Sequence, residues 1–128
     1  MNINIIRGLF ESSRPMNVVI AVLASLVGLQ FINDEMSIRV LPILIIVGLL
    51  TIVANTTNDI VDNSIDKINR DERPLPSGKI LVHHLIVYSI VLLLIVLYIV
   101  VVSAIHFNGK LFSIFIILPT IFLYNLYL

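Results

Sequence analysis

Four stretches of this 128-residue chain, 15–32, 40–58, 85–105 and 111–128, contain no Asp, Glu, Lys or Arg. At a rise of ~1.5 Å per residue each would make a helix of roughly 27–32 Å, long enough to cross a hydrocarbon core. All four are dense in Ile, Val and Leu. Their length and lack of alternation argue against strands, and in lipid a helix satisfies every backbone polar group within itself. Hydrophobic residues make up 59% of the chain and charged ones 12%, too little polar surface for a soluble domain of this size. The expected fold class is therefore all-α, a polytopic membrane helical bundle with about four transmembrane helices.

The charges that remain are confined to short stretches, and their placement orients the chain. Residues 1–14 read as an interfacial segment, because a short helix there would group Ile3, Ile6, Leu9 and Phe10 on one face. Residues 15–128 form the transmembrane part, interrupted by a charged loop at 59–84. Four spans put the N-terminus and that loop on the same side. Arg7, Arg14, Lys67, Arg70, Arg73 and Lys79 fall there, against Arg39 and Lys110 opposite. The positive-inside rule then makes that side cytoplasmic and the chain a multi-pass protein of the cell membrane. The first span is too long for a signal-peptide core and lacks a small-residue cleavage site. Eight basic and eight acidic residues balance, and no nucleic-acid partner is expected. Cysteine is absent, which excludes a disulfide framework, a thiolate metal site and a cysteine nucleophile.

The most informative stretch follows the second span. Asn55, Asp59, Asp62 and Asp66 are spaced by four, three and four, which keeps them on one helix face, with Asn58 beside them. Three carboxylates within about 10 Å of helix repel one another, so a neutralising partner is expected. Mg²⁺ prefers carboxylate oxygens, water and phosphate, and such a face suits bridging a metal to a diphosphate. The sixth-position Gly and closing Glu of an EF-hand are missing. Spacing alone also fits an ordinary solvated acidic loop. Two features favour a site. Asn55 and Asn58 lie at the end of an apolar span, where polar side chains tend to face a cavity. A basic segment with Lys67, Arg70 and Arg73 follows, and arginine holds phosphate oxygens bidentately. Pro74, Pro76 and Gly78 then stop the helix and shape a turn.

These residues resemble a known family. The run from Asn58 to Asp66, N-D-I-V-D-N-S-I-D, is similar to the first aspartate-rich motif, NDxxDxxxD, of the UbiA-type membrane prenyltransferases. Residues 66–78, D-K-I-N-R-D-E-R-P-L-P-S-G, resemble that family's D-x-x-N-R-P-x-R-P-[LI]-P-S-G, with Asp71 in place of a Pro. Arg14-Pro15-Met16-Asn17 resembles the R-P-x-N that opens these proteins. The resemblance implies a helical fold of about nine spans around a cavity open to lipid. It implies Mg²⁺ held by Asp59, Asp62 and Asp66, which are also the residues expected to act in catalysis. Asn17, Asn55, Asn58, Lys67, Arg70 and Arg73 would contact the diphosphate of a prenyl donor. The acceptor would be a lipid or an aromatic molecule. The compact linker between Asp66 and Arg73 looks most like the archaeal geranylgeranylglyceryl phosphate geranylgeranyltransferases.

The family's second aspartate-rich motif has no match here, so the chain reads as an N-terminal half: a fragment, a split-gene product with a second polypeptide supplying the rest, or a relic. On that expectation the chain alone would bind donor weakly and not turn it over. Readings from other classes are a non-catalytic membrane subunit and half of a small cation transporter or channel. Arg14 could meet phosphate or anchor the first helix at lipid headgroups. His83 and His84 read as interfacial, since no ligand partner stands at metal spacing. The aromatic residues read mostly as packing or belt residues. Gly28 and Gly48 are expected to allow close helix contacts.

Overall fold

The computed structural model describes residues 3–32 and 40–106. The expected span at 111–128 lies outside them. Among the described residues the fold is all-α, with five helices: α1 (Ile3–Ser13), α2 (Pro15–Ile32), α3 (Leu41–Val61), α4 (Asn63–Asn69) and α5 (Val82–His106). Helices α3 and α5 are long and apolar enough to cross a membrane, and α1 with α2 would qualify together as one span bent by 41°.

The bend has a local cause. A residue before proline is disfavoured in the right-handed helical region, and Pro15 is well suited to the first turn of α2. Arg14 accordingly leaves the helix with φ 49°, a left-handed value unusual for a residue with a side chain. One sequence position thus ends α1, starts α2 and re-aims an arginine.

Helix α3 packs between α2 and α5 and also meets α1. Ile46, Val96 and Val100 are buried in the α3–α5 seam. A second buried cluster, Leu75, Ile80 and Leu85, lies at the charged end of the bundle, with Ile5, Leu9 and Ile60 packed on it. Leu9 therefore turns inward, whereas the sequence grouped it with Ile3, Ile6 and Phe10; those three are exposed. The inner face of α1 is also its closest approach. A Cβ on Gly8 would lie 2.5 Å from Ile80 Cγ2, so only glycine lets α1 dock on the turn before α5. Gly48 faces Val18 and Val22 of α2, where a Cβ would make ordinary contact at 3.5 Å. The close contact expected at Gly28 is not found among the described residues, since nothing lies within 4 Å of an added Cβ. Along α2 and α5 many large apolar side chains remain exposed, among them Leu23, Val27, Ile90, Leu94 and Leu97, as lipid-facing helices require.

A belt of polar contacts joins the helices below the charged end. Asn55 Nδ2 donates to the Ser13 carbonyl at 2.9 Å. Ser13 Oγ and Tyr88 Oη lie 3.1 Å apart, and Thr56 Oγ1 and Ser89 Oγ 2.8 Å apart. Interhelical hydrogen bonds in lipid contribute on average ~0.6 kcal/mol each, and those of Asn55 and Thr56 tie α3 to α1 and α5.

Candidate functional site

The acidic face of α3 carries on into α4 with a one-residue irregularity at Asp62, whose φ and ψ are −83° and 0°. The backbone ladder is unbroken across it. Asp62 N–H bonds to the Asn58 carbonyl, Asp66 N–H to that of Asp62 and Arg70 N–H to that of Asp66, each at 2.8 Å. Asp59 and Asp66 are buried, at 4% and 5% exposure, while Asp62 is exposed.

The basic segment is folded back onto this face by its apolar anchors. Leu75 and Ile80 sink into the second cluster, and Ile80 N–H closes on the Pro74 carbonyl at 3.2 Å. Gly78 takes φ 74°, the left-handed turn that glycine makes without strain. Ser77 Oγ donates to the Arg73 carbonyl at 2.6 Å. Arg73 is thereby laid over the acidic face. Its Nη1 pairs with Asp66 Oδ2 and lies 3.7 Å from Asp59 Oδ1. Arg14, arriving from the α1–α2 junction, donates Nη2 to that same Asp59 oxygen at 2.5 Å. The repulsion expected along the stripe is thus relieved by two arginines from two different segments.

An open cleft of about 530 Å³ lies against this network, lined by Arg14, Asn58, Asp62, Ile65, Asp66, Asn69, Arg70 and Arg73. The structure brings together Asn58, Asp62, Asp66, Arg70 and Arg73 of the residues singled out from sequence. The others stand apart from the cleft lining. Asn55 is buried and spent on the Ser13 carbonyl, which caps the end of α1. Asn17 and Lys67 are exposed on α2 and α4. Asp59 lies behind the arginines that it holds.

Among the described residues no three acidic or histidine side chains come together as a metal-binding group. The reason is electrostatic, since Asp59 and Asp66 are turned onto Arg14 and Arg73. The cleft nonetheless offers hard oxygen donors, the carboxylates of Asp62 and Asp66 and the amide carbonyls of Asn58 and Asn69. One or two carboxylates, with water and phosphate completing the shell, is a donor set that fits Mg²⁺.

Ile65 and Asn69 are cleft residues that sequence reasoning did not assign, and Arg14, left open there between a phosphate contact and a headgroup anchor, lines the cleft as well. Asn69 carries no distinguishing signal. The usable signal for Arg14 is its place immediately before Pro15, a junction at which the chain must leave helical geometry.

The UbiA prenyltransferase family matches residues 18–128. The chain belongs to that family. Among curated proteins it is similar to the digeranylgeranylglyceryl phosphate synthase of Methanoregula boonei, 40% identical over 75 residues, which are 59% of this chain and 27% of that protein. The synthase of the same name from Methanospirillum hungatei is 38% identical over 78 residues, 61% of this chain and 28% of the relative. That from Methanothermobacter thermautotrophicus is 40% identical over 81 residues, 63% and 28%. The matched part of the chain thus spans little more than a quarter of the length of these relatives. No solved structure gives a significant match. Nothing in the comparisons points to a second polypeptide.

Proposed function

We propose that this chain carries a prenyl diphosphate site of a membrane prenyltransferase, and that the donor's diphosphate binds in the cleft at the α3–α4 junction. The observation that carries the reading is the mixed lining of that cleft, with Asp62 at the α3–α4 junction, Asp66 on α4, and Arg14, Arg70 and Arg73 around them. Arginines grip phosphate oxygens directly, while carboxylates can do so only through a cation. A site with both fits a metal diphosphate better than it fits either a free cation or a bare anion.

The division of labour follows from position. Asp62 and Asp66, with the Asn58 and Asn69 amides, would hold Mg²⁺. Arg14, Arg70 and Arg73 would bind and orient the diphosphate oxygens. Bound Mg²⁺ supplies charge neutralisation as the allylic C–O bond ionises. Arg73, held by Asp66, adds fixed positive charge where the leaving group becomes more negative, and the exposed Arg70 adds a second cation beside it. The apolar faces of α2 and α5 would keep the isoprenoid chain in lipid. The relatives are named for making digeranylgeranylglyceryl phosphate, so the donor is proposed to be geranylgeranyl diphosphate and the acceptor geranylgeranylglyceryl phosphate.

The test is binding of labelled geranylgeranyl diphosphate to the purified chain in lipid nanodiscs, with and without Mg²⁺. Saturable binding strengthened by Mg²⁺ is expected; no saturable binding in either condition would overturn the reading.

The side of the membrane is part of the same proposal. The N-terminal helix and the 59–84 segment meet at one end of the bundle, where Lys79 Nζ lies 3.5 Å from Glu11 and Gly8 abuts Ile80. We place that end in the cytoplasm, following the basic residues gathered there. Ser77 is exposed, and the chain has no cysteine of its own. Ser77→Cys should react with an impermeant maleimide in inside-out vesicles and stay unlabelled in right-side-out ones; the reverse pattern would invert the topology.

A further inference from the structure

We propose that Asp59 is a positioning residue that aims Arg14 and Arg73 at the diphosphate, and that Arg14 itself contacts the diphosphate. The inference rests on the diphosphate reading of the cleft and assigns separate tasks to carboxylates that look equivalent in sequence. Asp59 is 4% exposed and is absent from the cleft lining, whereas Arg14 and Arg73 are part of it. One carboxylate oxygen, Oδ1, receives Arg14 Nη2 at 2.5 Å and lies 3.7 Å from Arg73 Nη1. A guanidinium has five N–H donors in a rigid fork, so fastening one nitrogen leaves the others free to meet phosphate oxygens.

The backbone supports the same assignment. Arg14 sits at φ 49° before a proline, a conformation that costs energy unless its surroundings hold it. The side chain that leaves this junction spans to α3 and is fixed there by Asp59. Arg73 is fixed in the same way from the opposite segment, with Asp66 as a second partner. Two guanidiniums held in place before the anion arrives bind it with less loss of side-chain entropy than two mobile ones. A direct Mg²⁺ ligand instead needs room for water and substrate oxygens beside it, and Asp59, unlike Asp66, does not line the cleft.

The experiment uses inorganic pyrophosphate as the probe and calorimetry on the full 128-residue chain in detergent, first in EDTA and then with Mg²⁺. Charge-assisted hydrogen bonds of this kind correspond to roughly tenfold in affinity or more. Asp59→Asn and Arg14→Gln are each expected to weaken metal-free pyrophosphate binding by about that factor. Glu72→Gln, exposed and outside the cleft, should leave it unchanged. Asp59→Asn that retains full metal-free affinity and loses only the Mg²⁺-dependent gain would overturn the inference and make Asp59 a metal ligand, with the proposed function intact. If Asp59→Asn does not fold, as its thermal midpoint will show, Arg14→Gln decides: unchanged metal-free affinity overturns the inference. Absence of any pyrophosphate binding by the unaltered chain, with or without Mg²⁺, overturns the proposed function and this inference with it.

Discussion

Arg73→Met should lower the stability of the protein by about 3 kcal/mol, the lower end of the range for breaking a buried ion pair. Asp59 and Asp66 are both buried, and among the described residues Arg73 is the cation within 4 Å of both. Removing it strands the Asp66 carboxylate without its ion-pair partner and leaves Asp59 with Arg14 alone. The lower end applies because the Arg73 side chain keeps 20% exposure, so some of its charge is already screened. Methionine keeps much of the volume and none of the charge, which separates the electrostatic loss from a packing defect. The measurement is the thermal midpoint of helical circular dichroism in detergent. Adding Asp66→Asn to Arg73→Met should recover part of the loss, because one of the uncompensated charges is then gone. A midpoint unaffected by Arg73→Met would mean that solvent, not Arg73, neutralises the two aspartates.

The second large effect concerns Asp62. Asp62→Asn should reduce Mg²⁺-dependent diphosphate binding by tenfold or more, since it removes the one exposed carboxylate of the stripe and a charged ligand is worth well over 1.4 kcal/mol. Glu72→Gln, six residues from the stripe's last aspartate and exposed in the basic turn, should change it by less than about twofold. Binding of geranylgeranyl diphosphate to the chain in nanodiscs, titrated with Mg²⁺, reads both variants. Equal and small effects would return the acidic face to the status of a solvated loop. The two experiments separate cleanly, because Arg73→Met acts on the fold through buried partners and Asp62→Asn acts on an exposed group.

The positions of the helices were legible in the sequence because their signal is local. A run such as 85–105 has no charge and no alternation, so it must be a lipid-solvated helix wherever it packs. The structure adds where the described helices end, with α5 beginning at Val82 and α3 running on to Val61, and the bend between α1 and α2. The acidic face was legible for the same reason. Spacings of four, three and four keep Asp59, Asp62 and Asp66 together on any helix, and the ladder across Asp62 preserves this despite the irregularity there.

What each of those carboxylates does was not legible, because it depends on groups distant in the chain. Asp59, Asp62 and Asp66 look alike in a motif. Their burial differs because the α1–α2 junction and the turn at 70–81 cover Asp59 and Asp66 and leave Asp62 open. Likewise Asn55 lies on the same face as the aspartates, yet the Ser13 carbonyl claims its amide. Leu9 shares α1 with an exposed apolar stripe, yet it turns to Leu75, Ile80 and Leu85. The sequence by itself determined an all-helical membrane chain with an acidic face followed by a basic turn, since periodicity and hydropathy act over a few residues at a time. Only the tertiary structure decided that Arg14, 45 residues from Asp59, closes the site, because an ion pair between distant segments forms only after packing has brought them to one end of the bundle.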